Sequence, residues 1–83
     1  MQQLKEVRNI LCDVMSLGER KHFLEEDSAL LGSIPELDSM AVVNVITALE
    51  EYFGITVDDD EISAKTFETL GSLARFVEQK LAE

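Results

Sequence analysis

An all-α fold is predicted for this 83-residue chain: a small four-helix bundle with three longer helices, one short third helix and a long loop between helices one and two. Three observations predict it. Apolar residues recur every three or four positions in three segments, the spacing that gathers them on one helix face. Residues that start or stop helices stand beside these segments. No segment holds the apolar and polar alternation of a strand, and the one β-branched run, VVNVIT, sits within helical spacing among good helix formers.

The first helix is read between Leu4 and Met15. Leu4, Val7, Leu11 and Val14 fall at helical spacing, with Lys5, Glu6, Arg8, Asn9 and Asp13 largely on other faces. It is expected to end near Gly18, a residue suited to the left-handed position after a helix. Residues 19–37, ERKHFLEEDSALLGSIPEL, mix charges, small residues, a Gly and the only Pro, and hold no period. They read as a long loop, which in so small a chain either packs its own apolar residues or serves a function. Phe23, Leu24, Leu30, Leu31 and Ile34 are the candidates for packing.

The second helix starts at or just after Asp38 and runs to about Phe53, where Gly54 stops it. Val42, Ile46, Leu49 and Phe53 form its stripe, with Val45 beside it. If Asp38 is the N-cap, Leu37 precedes the cap and Val42 is the fourth helical residue, the pair that forms a hydrophobic staple. Ser39 is then the first residue of the helix proper. Further on, Asp58 can cap a short third helix, Glu61 can close a capping box on it, and Val57 with Ile62 repeats the staple. The last helix follows Thr69, with Leu70, Leu73, Val77 and Leu81 as its stripe and Phe76 at its edge. Arg75 and Lys80 lie toward its negative C-terminal end. The expected core comprises Val42, Ile46, Leu49 and Phe53, joined by Ile62, Phe67, Leu73 and Val77.

This length makes one domain, 1–83, near the lower limit for a core without disulfides or metal. The single cysteine, Cys12, cannot form an intrachain disulfide, and no cluster of thiols or imidazoles offers a zinc site. With no cationic neighbour in sequence to lower its pKa, Cys12 is expected to be a partly buried helix thiol. The N-terminus has scattered charges and no uninterrupted apolar run, so it resembles neither a signal peptide nor a membrane span. A cytoplasmic, monomeric protein is expected.

The formal net charge is −10, and it is unevenly placed. Residues 1–35 carry four Lys/Arg against six Asp/Glu, residues 36–68 one against nine, and the last fifteen residues balance. Such a field repels nucleic acids and anionic membranes and attracts basic protein surfaces. The run from Asp58 to Glu61 invites a calcium reading. An EF-hand loop starting there needs Gly at its sixth position and Glu at its twelfth, where this chain has Ser63 and Thr69. A helix start explains the run better. The only histidine, His22, lies in the loop beside Arg20 and Lys21, and local spacing yields no Ser/His/Asp or Cys/His arrangement. No catalytic residue and no metal ligand is assigned.

Leu37-Asp38-Ser39-Met40, followed by VVNVITALEEYFGI, resembles the attachment motif and second helix of the acyl carrier protein family. Thr66-Phe67-Glu68-Thr69-Leu70-Gly71-Ser72-Leu73 is similar to the approach to that family's last helix. The resemblance implies a 4'-phosphopantetheine arm, derived from coenzyme A, joined to Ser39 by a phosphopantetheinyl transferase. The protein would then be a substrate of that enzyme rather than a catalyst. Its function would be to hold acyl intermediates as thioesters and present them to partner enzymes of a fatty acid, polyketide or specialised acyl pathway. Partners would include an acyl or amino-acid ligase, a synthase or an acyltransferase with a basic docking surface. Asp38, Met40, Glu50 and Glu51 are the candidate recognition residues. Asp38 doubles as a cap, Met40 offers a flexible thioether, and the two glutamates could equally be a solvated helix face.

The residues make sense on their own terms. A phosphodiester on a serine in the first helical turn sits near unpaired backbone N–H groups and the positive end of the helix dipole. A plain helix-capping serine is the alternative for Ser39. Fatty-acid-synthesis carriers usually bear acids on the outer face of this helix just after the serine, where this chain has Ala41 and Asn44. That departure points to a dedicated pathway. A peptidyl or D-alanyl carrier loaded by an adenylating ligase is a second reading, and an acidic helical interaction module without a prosthetic group is a third.

Overall fold

The computed structural model describes residues 3–16, 18, 24–30 and 37–83, with Asp59 described by its backbone alone. Three α-helices form: α1 (Leu4–Met15), α2 (Ser39–Phe53) and α3 (Leu70–Leu81), with a single 3-10 turn at Asp59–Glu61 between the last two. Among the described residues there is no strand, only one isolated antiparallel bridge between Ala29 and Thr69. The all-helical expectation and the bounds of the three long helices agree with this architecture.

Helix α1 packs against both α2 and α3. Its inward face is Val7, Leu11, Cys12 and Met15, while Leu4 and Val14 are only partly buried at the edge. The stripe is therefore rotated from the one expected, and Cys12 is buried rather than partly so. The helix ends where Ser16 takes up the left-handed conformation, φ 54°, and its N–H turns back to the Asp13 and Cys12 carbonyls. That stop precedes Gly18, which is also left-handed at φ +60°.

Helix α2 buries Val45, Ile46 and Leu49. Val42 and Phe53 lie against the core without entering it, so the stripe centres on Val45 rather than beside it. Gly54, at φ 67°, supplies the left-handed stop, and its N–H and that of Ile55 both return to the Glu50 carbonyl. Helix α3 buries Leu70, Gly71, Leu73, Ala74 and Val77. Leu81 outlasts the core and is 40% exposed.

The expected short third helix is one 3-10 turn. Half of its capping box forms: the Asp58 N–H donates to Glu61 Oε2 at 2.8 Å, while the Glu61 N–H goes to the Asp58 backbone carbonyl at 3.0 Å. The next two residues leave the helix, and turns from Ala64 carry the chain to Phe67, the largest fully buried side chain. Val57 and Ile62 both pack against the core, as the staple requires.

The loop before α2 is more than packing. Leu30 is fully buried and Leu24 partly so; Phe23, Leu31 and Ile34, like Arg20, Lys21 and His22, lie outside the described residues. Its carbonyls cap α3: the Leu70 N–H donates to Ser28 O at 3.0 Å and the Gly71 N–H to Glu26 O at 2.8 Å. Thr69 and Ser72 complete the end reciprocally, each side-chain oxygen accepting the other's N–H at 3.0 Å. The first donors of α3, orphaned in any isolated helix, are thus satisfied.

Candidate functional site

The N-terminus of α2 is built as its sequence dictates. Asp38 is extended, φ −109° and ψ −173°, and its Oδ1 accepts from the Ala41 N–H at 2.9 Å. The Asp38 carbonyl accepts the first ladder bond from Val42 N–H at 2.9 Å. Leu37 is buried ahead of it, and Val42 packs on the same core. With the chain held on both sides of the cap, Ser39 becomes the first helical residue and its side chain is exposed. Capping belongs to Asp38, which leaves the Ser39 hydroxyl without that task.

In helix geometry the N–H groups of Ser39 and Met40 have no carbonyl to bond. No hydrogen bond to either exists among the described residues. Two donors without a partner among the described residues, the positive end of the helix dipole and an exposed hydroxyl lie together in this first turn. An anion there gains on the order of 0.3 to 1 kcal/mol. These groups suit an esterified phosphate on an exposed residue.

Met40 stands beside the serine and is 68% exposed. Val43 is 58% exposed, and Asn44 and Thr47 are exposed as well, the Thr47 hydroxyl donating back to the Val43 carbonyl at 3.0 Å. The outer face of α2 from Met40 to Thr47 is therefore uncharged. Ala41 is half-buried and borders the core rather than the outer face. Val43 escaped the sequence reading because it sits in an apolar run; its signal was position, since 40, 43, 44 and 47 lie opposite 42, 45, 46 and 49 at helical spacing.

The two glutamates at the far end of α2 diverge. Glu51 is exposed. Glu50 is half-buried, and its Oε2 accepts from the Val57 N–H at 2.9 Å, tying the following loop to the helix. That carboxylate has a structural partner within the chain, which no spacing in the sequence signals. Among the described residues no group of three or more His, Cys, Asp or Glu is placed to hold a metal ion, and no helix is long and apolar enough to cross a membrane.

The strongest outlying ionic feature is a clasp between the 3-10 turn and α3. Lys80 Nζ lies 2.8 Å from Glu61 Oε1 and 3.3 Å from Glu83 Oε1. The hydrogen bond from the Asp58 N–H, followed by that from Lys80, holds the Glu61 carboxyl below its ordinary 4.5. The Glu61 hydrogen bond in turn raises Lys80 above 10.5. The clasp sits apart from Ser39 and fastens the segment that carries Val57 and Ile62 to the bundle.

Comparison with known proteins agrees with the geometry. Residues 5–77 match the family model described as a phosphopantetheine attachment site. The solution NMR structure of a holo acyl carrier protein from Nitrosomonas europaea is 76% identical over the whole of both chains, with a TM-score of 0.93. A family match over most of the chain and an end-to-end likeness at that identity leave one assignment: this chain belongs to the acyl carrier proteins, the phosphopantetheine-bearing carriers that hold acyl groups for other enzymes and are not themselves catalysts.

Proposed function

We propose that Ser39 is the residue bearing the phosphopantetheine arm, and that the end of α2 around it is where partner enzymes dock. The observation that carries this reading is the exposed Ser39 hydroxyl at the first position of a helix already capped by Asp38, beside two N–H groups that have no partner among the described residues. When attached, the arm supplies a terminal thiol for thioester chemistry. The chain itself binds and presents. Its rigid α2 holds the attachment point in a fixed orientation, and a tether at one helix end gives cargo a high effective concentration once a partner has docked.

The transferase that installs the arm and the enzymes that load and unload it are the partners a carrier requires. Their docking is proposed to rest on Asp38 and Met40, with Val43 added by its exposure; Glu50, held through Oε2 by the Val57 N–H, and Glu51 lie at the far end of α2. The net charge of −10 favours basic partner surfaces. The 83 residues are proposed to act as one monomeric carrier domain. A cytoplasmic location belongs to the same proposal, supported by a lone cysteine that allows no intrachain disulfide.

Replacing Ser39 with Ala tests the site directly. The variant should fold with an unchanged melting temperature and show no mass gain after incubation with coenzyme A and a phosphopantetheinyl transferase. A variant that still gains the arm would remove Ser39 from the proposal.

The uncharged outer face of α2 supports a dedicated ligase or synthase as the client rather than the general fatty acid machinery, because rim charge largely sets partner choice and encounter rate. Loading of the holo protein by a fatty-acid malonyl transferase should accordingly be slow. Efficient loading, followed by intact mass, would assign the carrier to the general pathway.

A further inference from the structure

Away from Ser39, α1 and the C-terminal half of α2 enclose an open groove of about 370 Å³. Ile10 and Val14 of α1, with Ala48 and Tyr52 of α2, make it mainly apolar, and each helix adds one carboxylate, Asp13 and Glu51. Tyr52 is 62% exposed. Its ring meets Phe53 edge-on with centroids 4.8 Å apart, and Phe53 itself packs against the core. A ring held in this way loses little freedom on being covered, and aromatic anchors of this kind dominate interface energetics. Asp13 and Glu51 are exposed, and neither pairs with a cation among the described residues.

We propose that this groove is a second docking surface, for a basic amphipathic helix of a partner protein whose aliphatic face covers Ile10, Val14 and Tyr52 and whose Lys or Arg side chains meet Asp13 and Glu51. Charge complementarity selects this occupant. A second copy of a chain at −10, an acidic peptide or a nucleic acid backbone is repelled by the two carboxylates and the field behind them. Lys and Arg stems lie along apolar surface while their heads reach outward to an acid, which matches an apolar floor with an acidic rim.

Tyr52 lies thirteen positions beyond Ser39 along α2, about 20 Å at the helical rise. A partner seated in the groove leaves the Ser39 end uncovered. The surface therefore suits a protein that anchors the carrier while the other end of α2 is engaged elsewhere. Binding to the groove does not depend on the assignment of Ser39, since it is measured on the protein without its arm.

The probe is a synthetic Leu/Lys amphipathic helical peptide titrated into isotope-labelled apo protein and followed by amide chemical shifts. Shifts should concentrate at Ile10, Asp13, Val14, Ala48, Glu51 and Tyr52. The double variant Asp13→Lys, Glu51→Lys should weaken binding about tenfold or more, Tyr52→Ala should weaken it with the charges intact, and Glu78→Ala, on the exposed face of α3, should leave it unchanged. Shifts centred on residues 39–47 would overturn the proposal. So would affinity within about twofold in the double variant, or equal binding of a peptide with Glu in place of Lys. Helical circular dichroism of each variant verifies that the fold is retained.

Discussion

Asp38 caps α2, which leaves the neighbouring Ser39 hydroxyl without that task. The Asp38 side chain is bonded to the Ala41 N–H, so Asp38→Ala should cost about 1 kcal/mol, or roughly 4 to 8 °C in melting temperature for a domain of this size. Asp38→Asn retains the capping oxygen and removes the charge. It should melt close to the parent yet accept the arm more slowly if the charge guides the transferase. Thermal melts and the time course of mass gain on the same three proteins distinguish cap from recognition charge. The cap was legible in the sequence, because it acts on an N–H only three residues away. The partner of Glu50 was not, because Val57 lies beyond the helix stop and reaches Oε2 only after the chain has turned at Gly54.

At the level of the element, α3 shows how a helix can be finished by chain that precedes it by some forty residues. Carbonyls of Glu26 and Ser28 take its first N–H groups, and this close approach explains Gly71. A Cβ there would stand 2.6 Å from Glu26 Cγ and 2.9 Å from the Glu26 carbonyl oxygen. Gly71→Ala should therefore push the loop off the helix end and cost about 1 to 3 kcal/mol, the range for overpacking, read as a fall in melting temperature and faster amide exchange at Leu70 and Gly71. An unchanged protein would mean that the loop yields freely. The helix bounds themselves were legible, since caps and periodicity are local. The short third helix was expected from the same kind of local signal and failed: Glu61 Oε2 bonds the Asp58 N–H as a capping box demands, but its carboxylate is also held by Lys80, and the chain must turn after Glu61 to bring Phe67 into the core.

For the molecule as a whole, charge sets behaviour more than any single contact. The clasp between Glu61 and Lys80 has a defined window. Glu61, whose carboxyl is lowered in the folded state, contributes fully above its unfolded value near 4.5, and that contribution is lost as pH falls through the folded value. Lys80, raised in the folded state, contributes fully below 10.5 and loses its contribution as pH rises through its folded value. The melting temperature of the parent should exceed that of Glu61→Gln between these limits, approach it as acid protonates Glu61, and move part of the way toward it in base as Lys80 loses its charge while the bond from the Asp58 N–H remains. Subtracting the variant removes the general relief of self-repulsion that acid brings to a chain at −10. A difference that stays constant from acid to base would show that the clasp adds nothing to stability.

The sequence by itself determined the helical class, the ends of the three long helices, the capped position of Ser39 and the concentration of acid in the middle of the chain. Each follows from spacing or from side chains acting within a turn of their own backbone. Only the tertiary structure decided the rest: that Val45 rather than Val42 sits at the centre of the core, that Met40 and Val43 face outward, that the long loop caps α3, and that the third helix stops after one turn. These depend on which face meets which neighbour and on hydrogen bonds between residues far apart in sequence, where local preference is outweighed by packing and by the need to satisfy every buried N–H.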